Sequence, residues 1–210
     1  SYLELRPPRC GWSHGRSIPQ NTERIFRRTL SLTGINEKGC FSSPFLCAML
    51  IKFNNIKDLS DARYAAAAMA EWIGFSVGEL PIQQVQEIIG WCSGPKITLE
   101  VGSPETLETV QSWCTLLPVE AIECAESDKN FWKQNLSADY QYIVQTSENQ
   151  SIALGDPHVT INKVNPTEQS ASDIKALNLD AISLDCEKEM VVGMKNYDLW
   201  NDLLETLEIW

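Results

Sequence analysis

From residue 49 onward the chain alternates short continuous apolar runs with stretches in which apolar residues return every three or four positions. Leu50 to Phe53 reads as a buried strand, Asn54 to Lys57 as a polar turn, and the next segment as a helix opened by Asp58 or Ser60. Trp72 to Ser76 is a second buried strand, so strand, helix and strand follow one another as a βαβ unit, the building block of parallel sheets. Ile82, Val85, Ile88 and Ile89 share one face of a helix over Pro81 to Trp91, with Pro81 in the first turn, where its missing N–H costs nothing. Lys96 to Val101 is the third strand. Ser103, Pro104 and Glu105 then read as N-cap, first helical residue and a carboxylate at the positive end of the dipole, ahead of an apolar face of Leu107, Val110, Trp113, Cys114 and Leu117. Val119 to Cys124 is the fourth strand, Asp128 to Leu136 a short helix, and Gln141 to Thr146 and His158 to Asn162 two further strands. A helix over Pro166 to Leu177, a last strand over Ala181 to Asp185 and a closing helix over Asn196 to Ile209 complete the pattern.

Alternation of this kind predicts an α/β fold of the (βα)8 barrel type with a parallel sheet, but shortened: the pattern yields seven strands in the 162 residues from Met49, where such barrels usually take about 200 or more. Either the barrel closes with seven strands, or an eighth comes from the N-terminal segment or from a partner. An incomplete barrel edge would expose unpaired backbone to a second copy or to another protein. In parallel α/β folds ligands sit beyond the carboxyl ends of the strands, which directs attention to Asn54 and Asn55.

Charge divides the chain at about the same point. Residues 1–48 carry seven basic residues against three acidic ones, whereas residues 49–210 carry 10 against 25. The first segment has Pro7-Pro8, scattered Gly and Ser and one weak helical stretch over Asn21 to Leu32, without the periodicity of a packed domain. It reads as a flexible basic extension, a targeting segment, or sequence upstream of the true start, with the last favoured. A net charge of -11 disfavours nucleic acid, whose phosphates require Lys and Arg, and no apolar run reaches the roughly 18 residues of a membrane span. Seven cysteines without a CxxC pair and two histidines point to neither a disulfide framework nor a metal centre. A cytoplasmic protein without cofactor is expected.

The stretch Lys52-Phe53-Asn54-Asn55-Ile56-Lys57, with Asp61-Ala62 in the following helix and Gly74-Phe75 on the second strand, resembles the opening of phosphoribosylanthranilate isomerase, whose first strand typically reads K-I-C-G-I-T. Val164-Asn165-Pro166 is similar to that family's L-N-P after strand seven, and Gly193 and Lys195 to its later G-x-K. The resemblance implies a (βα)8 barrel performing an Amadori rearrangement in tryptophan biosynthesis on a small phosphosugar-type ligand. That reaction requires an acid for the ring oxygen and a base for the C2 proton. By the same resemblance the base position is Asn54 and the acid position Gln145, or Asn162 in the alternative frame. Both are amides with no useful basicity. The phosphate-binding glycines become Asn162 and Lys163 after strand seven, and Cys186 and Glu187 after strand eight, where Asp185 and Glu187 would oppose a dianion, Lys163 and Lys188 offsetting part of that charge. The family's Arg after strand two has no counterpart between Ser76 and Leu80.

Asn54-Asn55 is also simply a residue pair suited to a strand-to-helix turn. Substitute catalysts within reach in sequence are Lys52 or Glu123 as base and Glu126 or Asp185 as acid. Cys124 stands beside Glu123 and Glu126, a setting that raises a thiol pKa, and Glu126, Asp185 and Glu187 read as solvated loop charges rather than a cation site. The expectation is a degenerate homologue acting as a binding or interaction protein; the alternative is an isomerase that works with substituted groups.

Overall fold

A computed structural model describes residues 49–102, 106–186 and 195–209. The expectations for residues 1–48, for the Ser103 cap, and for Glu187, Lys188 and Gly193 lie outside the described residues. The strands are β1 (Leu50–Asn54), β2 (Trp72–Ser76), β3 (Lys96–Glu100), β4 (Val119–Ala125), β5 (Gln141–Ser147), β6 (Gln150–Ala153), β7 (Val159–Lys163) and β8 (Ala181–Asp185). They form one closed barrel in sequence order. Around it lie α1 (Leu59–Ala67), α2 (Ile82–Gly90), α3 (Leu107–Leu116), α4 (Lys129–Asn135), α5 (Ala171–Ala176) and α6 (Asp198–Thr206).

The eighth strand corrects the sequence reading, which recognised seven and had the barrel either close with those or take another from the N-terminal segment or a partner. It is β6, and it comes from the chain itself. Only Glu148 and Asn149 separate it from β5, enough for a two-residue hairpin and far too few for a parallel crossover, which needs about a dozen residues. β6 therefore pairs antiparallel with both β5 and β7, while the other neighbours pair parallel. The sheet is mostly parallel rather than wholly so. A reversed strand also dispenses with two helices, because short connections join it to β5 and β7; across the strands Gln150 Nε2 donates to Asn162 Oδ1 at 3.3 Å. Closure leaves no open edge among the described strands, which removes the edge-based route to self-association.

Strand alternation sends the two sets of side chains into separate cores. Outward-facing Ile51, Phe53, Ile73, Phe75, Leu99, Ile122, Ile182 and Leu184 pack beneath the helices together with Val85, Val110, Trp113, Ile174 and Leu203. Each such side chain contributes about 1.5–3 kcal/mol on burial. Inward-facing Trp72, Ala121, Ile143, Ala153, Ile161 and Ala181 fill the lower half of the barrel. One Trp is accommodated there because three of the residues around it are alanines, and its indole N–H is satisfied at 3.1 Å by the side-chain oxygen of Gln141.

Element ends follow local chemistry. α1 has Asp58 as its N-cap residue, as expected. α5 starts five residues later than the Pro166 start read from sequence: Asn165 Oδ1 takes up Thr167 N at 3.1 Å and Thr167 Oγ1 at 2.7 Å as a turn, and Ser170 then caps the helix through Asp173 N.

Candidate functional site

Above the apolar floor the inward positions turn polar. From β1 come Lys52 and Asn54, from β2 Gly74 and Ser76, from β3 Glu100, from β4 Glu123, and from β8 Ser183 and Asp185. Register brings them level: Glu100 pairs with Glu123, Lys52 with Ser183 and Asn54 with Asp185.

Lys52 is the centre of this layer, 1% exposed, its ammonium 2.5 Å from Glu123 Oε2 and 3.2 Å from Glu100 Oε1 and also donating to Asn54 Oδ1. Burial pulls its pKa down, but the attraction of Glu123 and then Glu100 outweighs it, so the pKa ends above that of an ordinary lysine. Held this way, Lys52 is an ammonium engaged by two carboxylates rather than a free amine.

Glu100 is saturated. Besides Lys52 it accepts from the Asn55 backbone N–H at 3.1 and 3.2 Å and from Ser76 Oγ at 2.6 Å. Its carboxylate lies in the space a side chain on Gly74 would fill, since a Cβ there would stand 1.9 Å from Glu100 Oε1. Glu123 in turn receives Ser151 Oγ from the reversed strand at 3.2 Å. Asn54 Nδ2 donates to Asp185 Oδ1 at 2.9 Å, and Asp185 Oδ2 pairs with Lys163 Nζ at 2.6 Å. The expectation that Lys163 offsets Asp185 thus takes the form of a direct ion pair. Asn55 follows in the left-handed region with φ 55°, which Asn tolerates better than most residues, and its buried Oδ1 has no partner.

These residues surround a cavity of about 260 Å³ at the carboxyl end of the barrel. Four of its lining side chains are carboxylates, Glu100, Glu123, Glu148 and Asp185, against the single ammonium of Lys163, with Lys52 beneath. Of the residues singled out from sequence, Asn54, Gln145, Lys163, Asp185 and Glu123 meet here. Glu126 does not: it is exposed on a 3-10 turn (Glu126–Asp128) after β4. Gln145 caps β5, the fifth strand of the ring, while the sixth position belongs to β6, so the sixth strand offers Ser151 to the mouth rather than an acid. Asn162 points away from the cavity to Gln150. Cys186 lies buried behind β1, its backbone N–H on Asn54 O at 3.0 Å and its thiol pushed far up by burial. The Cys124 thiol is raised to about 11, the expected direction, but by burial first and then by Asp128 and Glu123 rather than by Glu126.

Sequence reasoning missed Gly74, Ser76, Glu100, Glu148, Ser151 and Ser183. For Glu100 the signal was present: in Lys96-Ile97-Thr98-Leu99-Glu100 the polar residues share the inward phase.

A second cavity, about 300 Å³, lies beyond β7 and β8 and is lined by Lys163, Asn165, Thr167, Lys195 and Trp200 among others. Both lysines are committed to carboxylates, Lys163 to Asp185 and Lys195 to the fully buried Asp61 at 2.6 Å, where Tyr197 also donates at 3.0 Å. Burial raises the Asp61 pKa more than Lys195 lowers it. Two residues that matched the family motifs, Asp61 and Lys195, thus form a buried clasp between α1 and the segment leading to α6. Among the described residues no group of three or more His, Cys, Asp or Glu side chains is placed to hold a metal ion, and no helix is long and apolar enough to cross a membrane.

No protein-family model matches the sequence, and no curated protein does. Solved structures do. The chain is similar to phosphoribosyl anthranilate isomerase from Thermus thermophilus with a TM-score of 0.59 at 16% identity, covering 76% of this chain and 98% of that one. It is similar to a monomeric form of the dimeric enzyme from Thermotoga maritima with a TM-score of 0.51 at 14% identity, over 76% and 98% of the two chains. At these identities the likeness shows the fold: a phosphoribosylanthranilate isomerase-like barrel.

Proposed function

We propose that this barrel does not perform the Amadori rearrangement and serves instead as a binding protein for a small polar ligand at its mouth. The observation that carries the reading is the Lys52 ammonium held between Glu100 and Glu123 directly below Asn54. At the end of β1, where the isomerase resemblance puts a base, the chain has an amide whose two side-chain groups are engaged by Lys52 and Asp185. Of the carboxylates around the mouth, Glu100 and Glu123 are engaged by Lys52 and Asp185 by Lys163, which leaves Glu148 alone without an ion pair among the described residues. Acid–base catalysis needs two groups free to exchange a proton with substrate, and a phosphosugar needs unspent positive charge, whereas both lysines beside the second cavity already face carboxylates.

The test is turnover of freshly prepared phosphoribosylanthranilate by the full chain, followed as loss of its fluorescence. The expected rate equals that without protein. Turnover that disappears in Asp185→Asn or Glu123→Gln would overturn the reading and make those carboxylates the substitute catalysts.

A further inference from the structure

The mouth contains one polar group that the ion network does not use. Ser183 is 5% exposed, lies on the wall of the 260 Å³ cavity, and its hydroxyl makes no hydrogen bond among the described residues. Its oxygen is not sealed inside the protein, so water or a ligand in the cavity can meet it. Asn55 Oδ1 on the same wall is likewise unpartnered. Toward the β5–β6 hairpin the cavity is bounded by Glu148, whose carboxylate forms no ion pair among the described residues. The surface thus offers an unused hydroxyl and an unused carboxylate to a space of about 260 Å³, while the Asn55 amide oxygen is sealed behind it. At about 30 Å³ per water that space corresponds to roughly nine waters, the size of one sugar ring.

We infer that the mouth takes a monosaccharide-sized amino polyol: a molecule whose hydroxyls meet Ser183 and the Gln145 amide and whose ammonium faces Glu148, without a phosphate. The charge around the cavity fixes the sign. Glu100, Glu123, Glu148 and Asp185 face Lys163 and the buried Lys52, a surplus of two negative charges that attracts an ammonium and repels a dianion. Gln145, at the top of β5, completes the polar wall with an amide able to both donate and accept. This inference rests on the mouth being a binding site, as proposed above. It fails separately from that reading, because the absence of isomerase turnover says nothing about which ligand binds.

The experiment is calorimetric titration of the full chain at neutral pH with glucosamine, galactosamine, glucose and glucose 6-phosphate. At least one amino sugar should bind saturably with one molecule per chain, glucose at least tenfold more weakly, and glucose 6-phosphate not at all. Glu148→Gln should bring the amino sugar down to the affinity of glucose, and Ser183→Ala should weaken both sugars about tenfold while the urea midpoint stays within error of the parent, since the hydroxyl contributes no contact to the fold. Tighter binding of glucose 6-phosphate than of either amino sugar, or no saturable binding of either amino sugar, would overturn the assignment. So would amino-sugar binding that survives Glu148→Gln unchanged.

Discussion

Gly74 is the residue on which the polar mouth depends most directly. A Cβ at this position would lie 1.9 Å from Glu100 Oε1, 2.8 Å from its Cδ and 3.2 Å from its Cγ, so Gly74→Ala cannot be accommodated without moving the carboxylate. The side chain is flexible, but its end is anchored by Lys52 at 3.2 Å, by the Asn55 N–H at 3.1 and 3.2 Å and by Ser76 Oγ at 2.6 Å. Losing two such hydrogen bonds to a charged group costs about 1.5–3 kcal/mol each. Replacing Gly by Ala in a strand returns about 0.5–1 kcal/mol. Lys52 keeps Glu123, so its charge is not stranded. The net expectation is a loss of about 2–5.5 kcal/mol, and at about 2–4 °C per kcal/mol for a domain of this size the melting temperature should fall by roughly 4–22 °C.

The decisive assay is a double-mutant cycle by urea unfolding, with Gly74→Ala made alone and in a Glu100→Ala background. With the carboxylate gone the alanine methyl meets nothing that must move, so in that background Gly74→Ala should be neutral or slightly stabilising. The reasoning is refuted if Gly74→Ala alone lies within about 0.5 kcal/mol of the parent, since Glu100 would then have swung aside at no cost. It is equally refuted if the full loss persists without Glu100, which would place the clash elsewhere.

Replacing Lys52 by Met should be more damaging, because it leaves Glu100 and Glu123 facing each other without their cation. Breaking a buried pair in this way costs about 3–5 kcal/mol, and Glu123→Gln in the same chain should recover part of it; a fully stable Lys52→Met chain would remove the ion pair from its structural role. Alkaline pH supplies an independent readout. Burial raises the Tyr64 phenol to about 12, and the Glu123 and Glu100 charges hold Lys52 above its usual 10.5. Both groups therefore keep a proton in the folded protein that the unfolded chain gives up first, so their stabilisation is complete below about pH 10 and declines as pH rises through the folded pKa values. Urea midpoints measured from pH 8 to about pH 12 should hold and then fall, and Tyr64→Phe should make the fall shallower; a flat profile would contradict the assignment.

Much of the fold was legible because buried parallel strands announce themselves as continuous apolar runs, and Leu50 to Phe53, Trp72 to Ser76 and Ala181 to Asp185 fall within a residue of their positions in the barrel. β6 was not legible for the opposite reason. Gln150-Ser151-Ile152-Ala153 is short and half polar, and its strand character comes from pairing with β5 and β7 rather than from its own residues. The site divides in the same way. Asn54 and Asp185 stand where strand ends lead one to look. Glu100, Ser151 and Ser183 belong to the site only because closure of the barrel brings β3, β6 and β8 to one level, and no spacing along the chain encodes that meeting. The space for Glu100 is encoded on a different strand, as the missing side chain of Gly74.

Reversal of β6 also bears on why the groups at the mouth differ from those implied by the sequence resemblance. In a parallel barrel every strand delivers its carboxyl end to the mouth, so each ends in a loop free to position a catalytic group. A reversed strand delivers its amino end, and what arrives with it is a two-residue hairpin, whose Asn149 carbonyl is bonded to Lys163 N at 2.9 Å and whose neighbour Ser151 holds Glu123 at 3.2 Å. The hairpin brings a single carboxylate, Glu148, to the rim, and its remaining backbone is committed to the barrel wall. Glu123, oriented by that wall, then faces Lys52 at 2.5 Å, and Lys52 in turn occupies Asn54. The shortened connection and the amide at the end of β1 are thus parts of one arrangement, in which most groups around the mouth satisfy one another and the Ser183 hydroxyl and the Glu148 carboxylate are left for the ligand we propose.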